Sequence, residues 1–242
     1  MKGPYTEIKI CGITRLEDAL CAVACGADAV GFIFNPASPR CTTPEKARAI
    51  ITELPKRIAT VGVFVNETTE IVERTTQACG LDLIQLHGDE SPAYCRYFPP
   101  ERIIKAVSPG TPEALRALEA YQVRALLIDA RDRNRYGGTG LQSDWNFAVK
   151  IRERRPLILA GGLHPGNIGE ALAFVVPQAV DINSGCELAP GIKDHELMRR
   201  IIGMVRGMNQ GAIHSGRAPR PINIFENFVK DRFPSPMGRK CA

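Results

Sequence analysis

Ile8-Lys9-Ile10-Cys11-Gly12-Ile13 is followed by Arg15-Leu16-Glu17-Asp18-Ala19-Leu20-Cys21-Ala22-Val23-Ala24-Cys25, and then by Ala29-Val30-Gly31-Phe32-Ile33-Phe34-Asn35. The outer segments are short runs of β-branched and aromatic residues, as strands require. The middle one spaces its apolar residues along one face of a helix. The same alternation recurs down the chain. Strands are predicted over 8–13, 29–35, 58–66, 81–88, 102–107, 123–130, 156–162 and 179–185. Helices are predicted over 15–25, 44–54, 69–79, 112–121, 145–155, 165–175 and 195–208, with a weaker one over 92–98. Thr43-Pro44 and Thr111-Pro112 each put a capping hydroxyl before a first-turn proline, and Asp194 precedes the last helix.

An unbroken βαβα order implies an α/β fold with a parallel sheet and right-handed crossovers. Eight such units close most naturally into a (β/α)8 TIM barrel, which also removes the edge strands. An open doubly wound sheet of five or six strands is the runner-up, and it leaves units over. The units are too short to hide a further domain, so the 242 residues divide into one barrel domain, 1–210, and a C-terminal extension, 211–242. That extension is rich in Pro and Gly, with Ile222-Asn223-Ile224-Phe225 and Phe228-Val229 as its apolar content. Such a composition reads as poorly ordered, with a short amphipathic turn near 225–229 able to dock on the barrel or a partner. Its deletion is expected to change activity and thermal midpoint little.

Hydrophobic residues make up 44% of the chain and charged residues 24%, which excludes wholesale disorder. The weakly charged stretch 19–39 is broken by Asp28, Gly26 and Gly31 and changes periodicity midway, so no membrane span is read there. No apolar signal core follows Met1, and the chain reads as cytoplasmic. The net charge of +5 comes mostly from the extension, which holds six Lys/Arg against two Asp/Glu, leaving 25 against 24 elsewhere. A polyanion groove needs clustered cations, so the barrel is not expected to bind nucleic acid. None of the eight cysteines shows a C-x-x-C spacing, and Cys21 and Cys25 read as small apolar helix residues.

Barrel chemistry gathers where strands end and βα loops begin. The predicted strand ends hold Lys9 and Cys11, Asn35 to Arg40, Gln85 to Asp89, Lys105, Asp129, Gly161-Gly162, and Asp181 to Gly185. Titratable residues and glycines are thus concentrated at one end of the barrel. By itself Cys11 reads as a buried structural cysteine, and Asp129 as half of an interior ion pair.

The ordered set resembles the phosphoribosylanthranilate isomerase family of tryptophan biosynthesis over nearly all of residues 7–209. The matching segments are Lys9-Ile10-Cys11-Gly12-Ile13-Thr14, Gly31-Phe32 through Ser38-Pro39-Arg40, Val61-Gly62-Val63-Phe64-Val65-Asn66 and Gln85-Leu86-His87-Gly88. Leu127-Ile128-Asp129, Gly137-Gly138-Thr139-Gly140, Ala160-Gly161-Gly162-Leu163 and Ser184-Gly185 with Glu187 follow in order. The resemblance implies an Amadori rearrangement of N-(5-phosphoribosyl)anthranilate to the 1-deoxyribulose 5-phosphate ketone, with no metal or organic cofactor.

It makes Asp129 the acid that protonates the furanose ring oxygen and Cys11 the base that removes the proton at sugar C2. A carboxylic acid of ordinary pKa is ionised at neutral pH, so this role requires an apolar mouth or a neighbouring carboxylate around Asp129. A free thiol titrates at roughly 8.5 and needs the opposite help. Period-2 geometry puts Lys9 on the same strand face, where a cation would favour the thiolate.

Gly161, Gly162, Asn183, Ser184 and Gly185 suit a phosphate, held by close backbone N–H groups and a short helix start after strand 8. Arg40 is expected on the anthranilate carboxylate, in a two-pronged contact. His87 is read as a substrate-side or a core histidine. Asp181 is expected to order substrate hydroxyls or to hold Lys9 or Lys105. The loop at 137–140 resembles the family's flexible loop after strand 6, but Leu141 stands where a lysine is frequent, and Asp132 reads as a solvated charge beside Arg131, Arg133 and Arg135. His164, His195 and His214 read as partnerless, so no metal site is expected.

A weak homodimer or a contact with another tryptophan-pathway enzyme is the macromolecular partnership considered. Two rival functions remain: a histidine-pathway sugar-phosphate isomerase, which looks to aspartates at the ends of strands 1 and 6, and a phosphate-binding or assembly barrel without turnover. Cys11 argues against the first, and Cys11 with Asp129 against the second.

Overall fold

The computed structural model describes residues 6–108, 112–129, 140–215 and 223–225. Eight parallel strands close into a barrel in chain order: β1 (Glu7–Ile10), β2 (Ala29–Ile33), β3 (Ala59–Phe64), β4 (Leu83–Leu86), β5 (Ile103–Val107), β6 (Ala125–Asp129), β7 (Leu157–Ala160) and β8 (Ala179–Ile182). The helices that return between them are α1 (Leu16–Cys25), α2 (Pro44–Glu53), α3 (Thr69–Cys79), α4 (Pro92–Cys95), α5 (Pro112–Ala117), α6 (Gly140–Arg152) and α7 (Ile168–Val175), and α8 (His195–Ser215) ends the ring. The barrel expected from the eightfold alternation is the architecture found, and the open sheet is excluded by the pairing of β1 with β8.

Two of the caps follow the sequence signals, and Thr111 lies outside the described residues. Thr43 accepts a bond from the Lys46 N–H ahead of α2, and Asp194 accepts two, from Glu196 and Leu197, at the start of α8. Boundaries differ where sequence signals are local. The weak helix at 92–98 is a single turn, and the stretch 112–121 finishes as a 3₁₀ turn, Leu118–Ala120. α8 runs on to Ser215 because Asn209 is tied down, exchanging hydrogen bonds with the backbone of Thr6. A two-stranded hairpin, β9 (Glu187–Ala189) with β10 (Ile192–Lys193), was not expected; its strands are too short to carry a pattern.

Period-2 geometry along β1 organises the interior. Ile8 and Ile10 pack outward against the helices in the main apolar layer. Glu7, Lys9 and Cys11 alternate with them and face the barrel axis, at floor, middle and mouth. Small and branched side chains fill the space between, among them Ala29, Ala59, Val61, Leu83, Ile104, Leu127 and Ile158. No helix among the described residues is long and apolar enough to cross a membrane.

Candidate active site

The mouth holds a cavity of about 290 Å³ lined by Cys11, Arg40, His87, Asp129, Gly161, Gly162, Asp181, Asn183, Ser184 and Gly185. All ten residues expected from the sequence to act on or hold the substrate therefore lie around one space. Cys11 follows β1 and Asp129 ends β6, three strands away around the closed sheet.

Strand register creates the charge pair beneath Cys11. Lys9 is directly opposite Asp181 in the β1–β8 closure, and Lys9 Nζ donates to Asp181 Oδ2 at 2.7 Å, both side chains buried. Burial alone pulls the ammonium pKa down, but Asp181 and then Cys11 outweigh it and leave Lys9 raised. Burial, and next the Asp181 charge, push the Cys11 thiol above its usual range, while Lys9 and Lys193 pull it back only in part. Lys9 thus acts on the thiol in the expected direction, but burial and Asp181 outweigh it. Lys9 spends its charge largely on Asp181, and both groups lie in a low-dielectric interior.

Gly31 makes this packing feasible. A Cβ there would stand 2.9 Å from Cys11 Sγ and 2.9 Å from Lys9 Cε. Gly31→Ala is expected to displace the thiol and lower kcat on the order of a hundredfold, with a smaller effect on KM, in steady-state kinetics.

A second charge cluster fixes the rim. Glu187 accepts Nε and Nη2 of Arg40 at 2.7–3.0 Å, and Lys193 Nζ at 2.9 Å. Burial raises the Glu187 carboxyl, but these cations outweigh it and hold the group below the usual carboxylate range. Among the described residues Arg40 Nη1 has no hydrogen bond, so one edge of the guanidinium is open. Lys193 also reaches the carbonyl and side-chain oxygens of Asn183. Asn183 is therefore held in place by Lys193.

Lys105 does not meet Asp181. It pairs with Glu90 at 2.9 Å, and Glu90 in turn accepts the N–H groups of Asn66 and Gly88. This buried pair ties down the loops after β3 and β4 and so places His87. Gln85 Nε2 lies 2.9 Å from His87 Nδ1; with the amide as donor, the imidazole carries its proton on Nε2.

Gly161 and Gly162 turn with positive φ, 91° and 65°, after β7. Gly185 packs so close to the Leu163 carbonyl that a Cβ would stand 1.8 Å away, which locks the β7 and β8 loops together. The helix start expected after β8 is a single 3₁₀ turn, Ser184–Cys186.

Gln85 was missed as a site residue. Its Oε1, like Asp181 Oδ1, is buried without a partner among the described residues, and both residues line the cavity. An unmet buried acceptor costs roughly 1–3 kcal/mol, so each favours a ligand hydroxyl. No sequence signal distinguishes that oxygen from a core amide. His195 is not partnerless: Nε2 meets Asp18 at 2.8 Å, and His164 Nδ1 accepts the Gly166 N–H. Cys21 and Cys25, 3.8 Å apart, pack against the main apolar layer. Asp132, Gly137, Gly138, Thr139 and the side chains of Leu141 and His214 lie outside the described residues.

Residues 8–204 match the family described as N-(5'phosphoribosyl)anthranilate (PRA) isomerase. An N-(5'-phosphoribosyl)anthranilate isomerase from Syntrophus aciditrophicus is 56% identical over 224 residues, 91% of this chain and 97% of the relative. The crystal structure of the Thermotoga maritima phosphoribosyl anthranilate isomerase superposes with a TM-score of 0.76 at 44% identity, over 84% of this chain and 99% of that one. A crystal structure of a phosphoribosyl anthranilate isomerase in complex with reduced 1-(o-carboxyphenylamino)-1-deoxyribulose 5-phosphate gives a TM-score of 0.74 at 42% identity, over 84% and 99%. With the barrel, its mouth and these likenesses together, the chain belongs to the phosphoribosylanthranilate isomerase family.

Proposed function

We propose that Cys11 and Asp129 carry out the family's Amadori rearrangement from two sides of one sugar. Asp129 protonates the furanose ring oxygen, the C1–O bond breaks, and the anilino nitrogen lone pair forms a protonated imine at C1. Cys11 then removes the proton at C2. The enolamine becomes the ketone as C1 regains a proton and the C2 hydroxyl loses one. Cys11 rests as a thiol, because burial and Asp181 hold its pKa up. The cationic imine adds positive charge beside it, on the side of Lys9, so the thiolate is favoured only after the ring has opened.

In this reading, the open edge of Arg40 takes the anthranilate carboxylate, with Glu187 fixing the guanidinium plane. Asp181 Oδ1 and Gln85 Oε1 accept sugar hydroxyls, and His87 donates from Nε2. Backbone N–H groups of Gly161, Gly162, Ser184 and Gly185, with Asn183 beside them, cradle the phosphate. The observation that carries the reading is that Cys11, Asp129, the Arg40 guanidinium and both glycine loops line one cavity of substrate size.

The test supplies anthranilate, phosphoribosyl pyrophosphate and the preceding transferase, and follows loss of the fluorescent adduct. Pure protein is expected to consume it, and failure to do so rejects the reading. Arg40→Met is expected to raise KM about 10- to 100-fold and change kcat less, because no bond to the carboxylate is made or broken in the reaction. Equal loss in both constants would remove Arg40 from that role.

A further inference from the structure

At the end of the barrel away from the mouth, the interior is filled by a segment of the chain itself. Ile224 and Phe225 are buried among the small interior side chains, with Ala29, Ala59, Ala125 and Ala179 in the same apolar cluster. The backbone of this segment is read as closely as its side chains. Glu7, the inward residue at the floor of β1, accepts the Ile224 N–H at 2.5 Å and the Phe225 N–H at 3.2 Å. Arg124 donates Nε to the Ile224 carbonyl and Nη2 to that of Asn223. Two charged side chains thus satisfy two amides and two carbonyls of a tripeptide whose apolar pair closes the interior. The segment lies beyond residues 8–204, the part that the family model matches.

We propose that the floor of this barrel is a peptide-binding site that the chain fills with its own segment Asn223–Phe225, as an in-chain plug that stabilises the barrel without touching the chemistry at the other end. Emptying the seat removes two buried apolar side chains and leaves Glu7 and Arg124 facing an open interior. This revises the expectation that the extension contributes little to the thermal midpoint, and leaves intact the expectation for activity.

The experiment uses the full chain. Ile224→Asp/Phe225→Asp is expected to melt roughly 5 °C or more below wild type. Turnover at 25 °C should stay within about twofold, since these residues are remote from the cavity. A synthetic peptide of residues 219–230 is expected to bind this variant by calorimetry and raise its midpoint. It should not bind wild type, whose seat is filled. Glu7→Gln should weaken the peptide's hold when added to the double variant. Hydrogen exchange on the unmodified chain gives a reading independent of variant folding: the Ile224 and Phe225 amides are expected to be protected. Free exchange at those amides, or a double variant that melts with wild type and ignores the peptide, would overturn the proposal. So would a wild-type dimer that the double variant dissociates, because the plug would then come from a neighbour.

Discussion

Cys11→Ser and Asp129→Asn are each expected to lower kcat by about two to four orders of magnitude while KM stays near the wild-type value. Both substitutions nearly preserve volume, and neither touches Arg40 or the glycine loops that hold the substrate's ends. What is lost is proton transfer in the transition state, which ground-state binding does not report. The two losses are not expected to multiply. Ring opening and C2 deprotonation are successive steps, so the slower one governs, and the double variant should resemble the worse single. Deuterium at sugar C2, introduced through labelled phosphoribosyl pyrophosphate, separates the two roles. The Cys11→Ser variant should show a large isotope effect, because C–H cleavage limits it. The Asp129→Asn variant should show almost none, because ring opening limits it. The reverse pattern would exchange the two assignments, and near-wild-type turnover in either variant would remove that residue from the mechanism.

These roles depend on features that the sequence displays unequally. The alternation of β-branched runs with helical spacing is local, so the eight units could be read directly, and strand parity alone put Lys9 and Cys11 on one face. The partner of Lys9 was another matter. Asp181 lies opposite Lys9 only because the sheet closes β1 against β8, a register that links residues 172 apart in sequence. Before closure is known, Lys105 is as plausible a partner for Asp181, and it is Glu90 that takes Lys105. The state of the thiol is hidden in a similar way. Parity places the cation beside it, but burial, and then the anion that arrives from the far end of the chain, outweigh that cation. The floor seat shows a third limit. Ile224-Phe225 stands out as an apolar pair in a polar extension, yet its destination is set by Glu7 and Arg124, which look like ordinary surface charges in sequence. The β9–β10 hairpin, with Leu188 exposed and Pro190-Gly191 at its turn, has too few residues for any period.

Lys9→Met and Asp181→Asn should move the Cys11 thiol in opposite directions. Lys9 is the cation that pulls the raised thiol pKa down, and Asp181, after burial, is what pushes it up. Removing Lys9 leaves the Asp181 carboxylate unpaired beside the thiol, so the pKa rises and less thiolate is present at a given pH. Removing the Asp181 charge lifts that repulsion and also frees Lys9 to face Cys11, so the pKa falls. One pKa unit is about tenfold in thiolate fraction below the midpoint. Iodoacetamide labelling of the Cys11 peptide at pH 8, followed by mass spectrometry to exclude exposed Cys41, should therefore slow roughly tenfold in Lys9→Met and quicken by a similar factor in Asp181→Asn. In wild type the labelling rate should climb with pH beyond the range where a free thiol has levelled off. Breaking a buried pair costs several kcal/mol, roughly 3–5, so both variants are compared with Lys9→Met/Asp181→Asn, which removes both charges at once. Turnover must behave differently from labelling. It should fall in both single variants, because Asp181→Asn makes a better thiolate but loses the carboxylate that orders a sugar hydroxyl. Labelling rates that move together, or not at all, would mean that burial alone sets the thiol and that the ion pair beneath it serves only the fold.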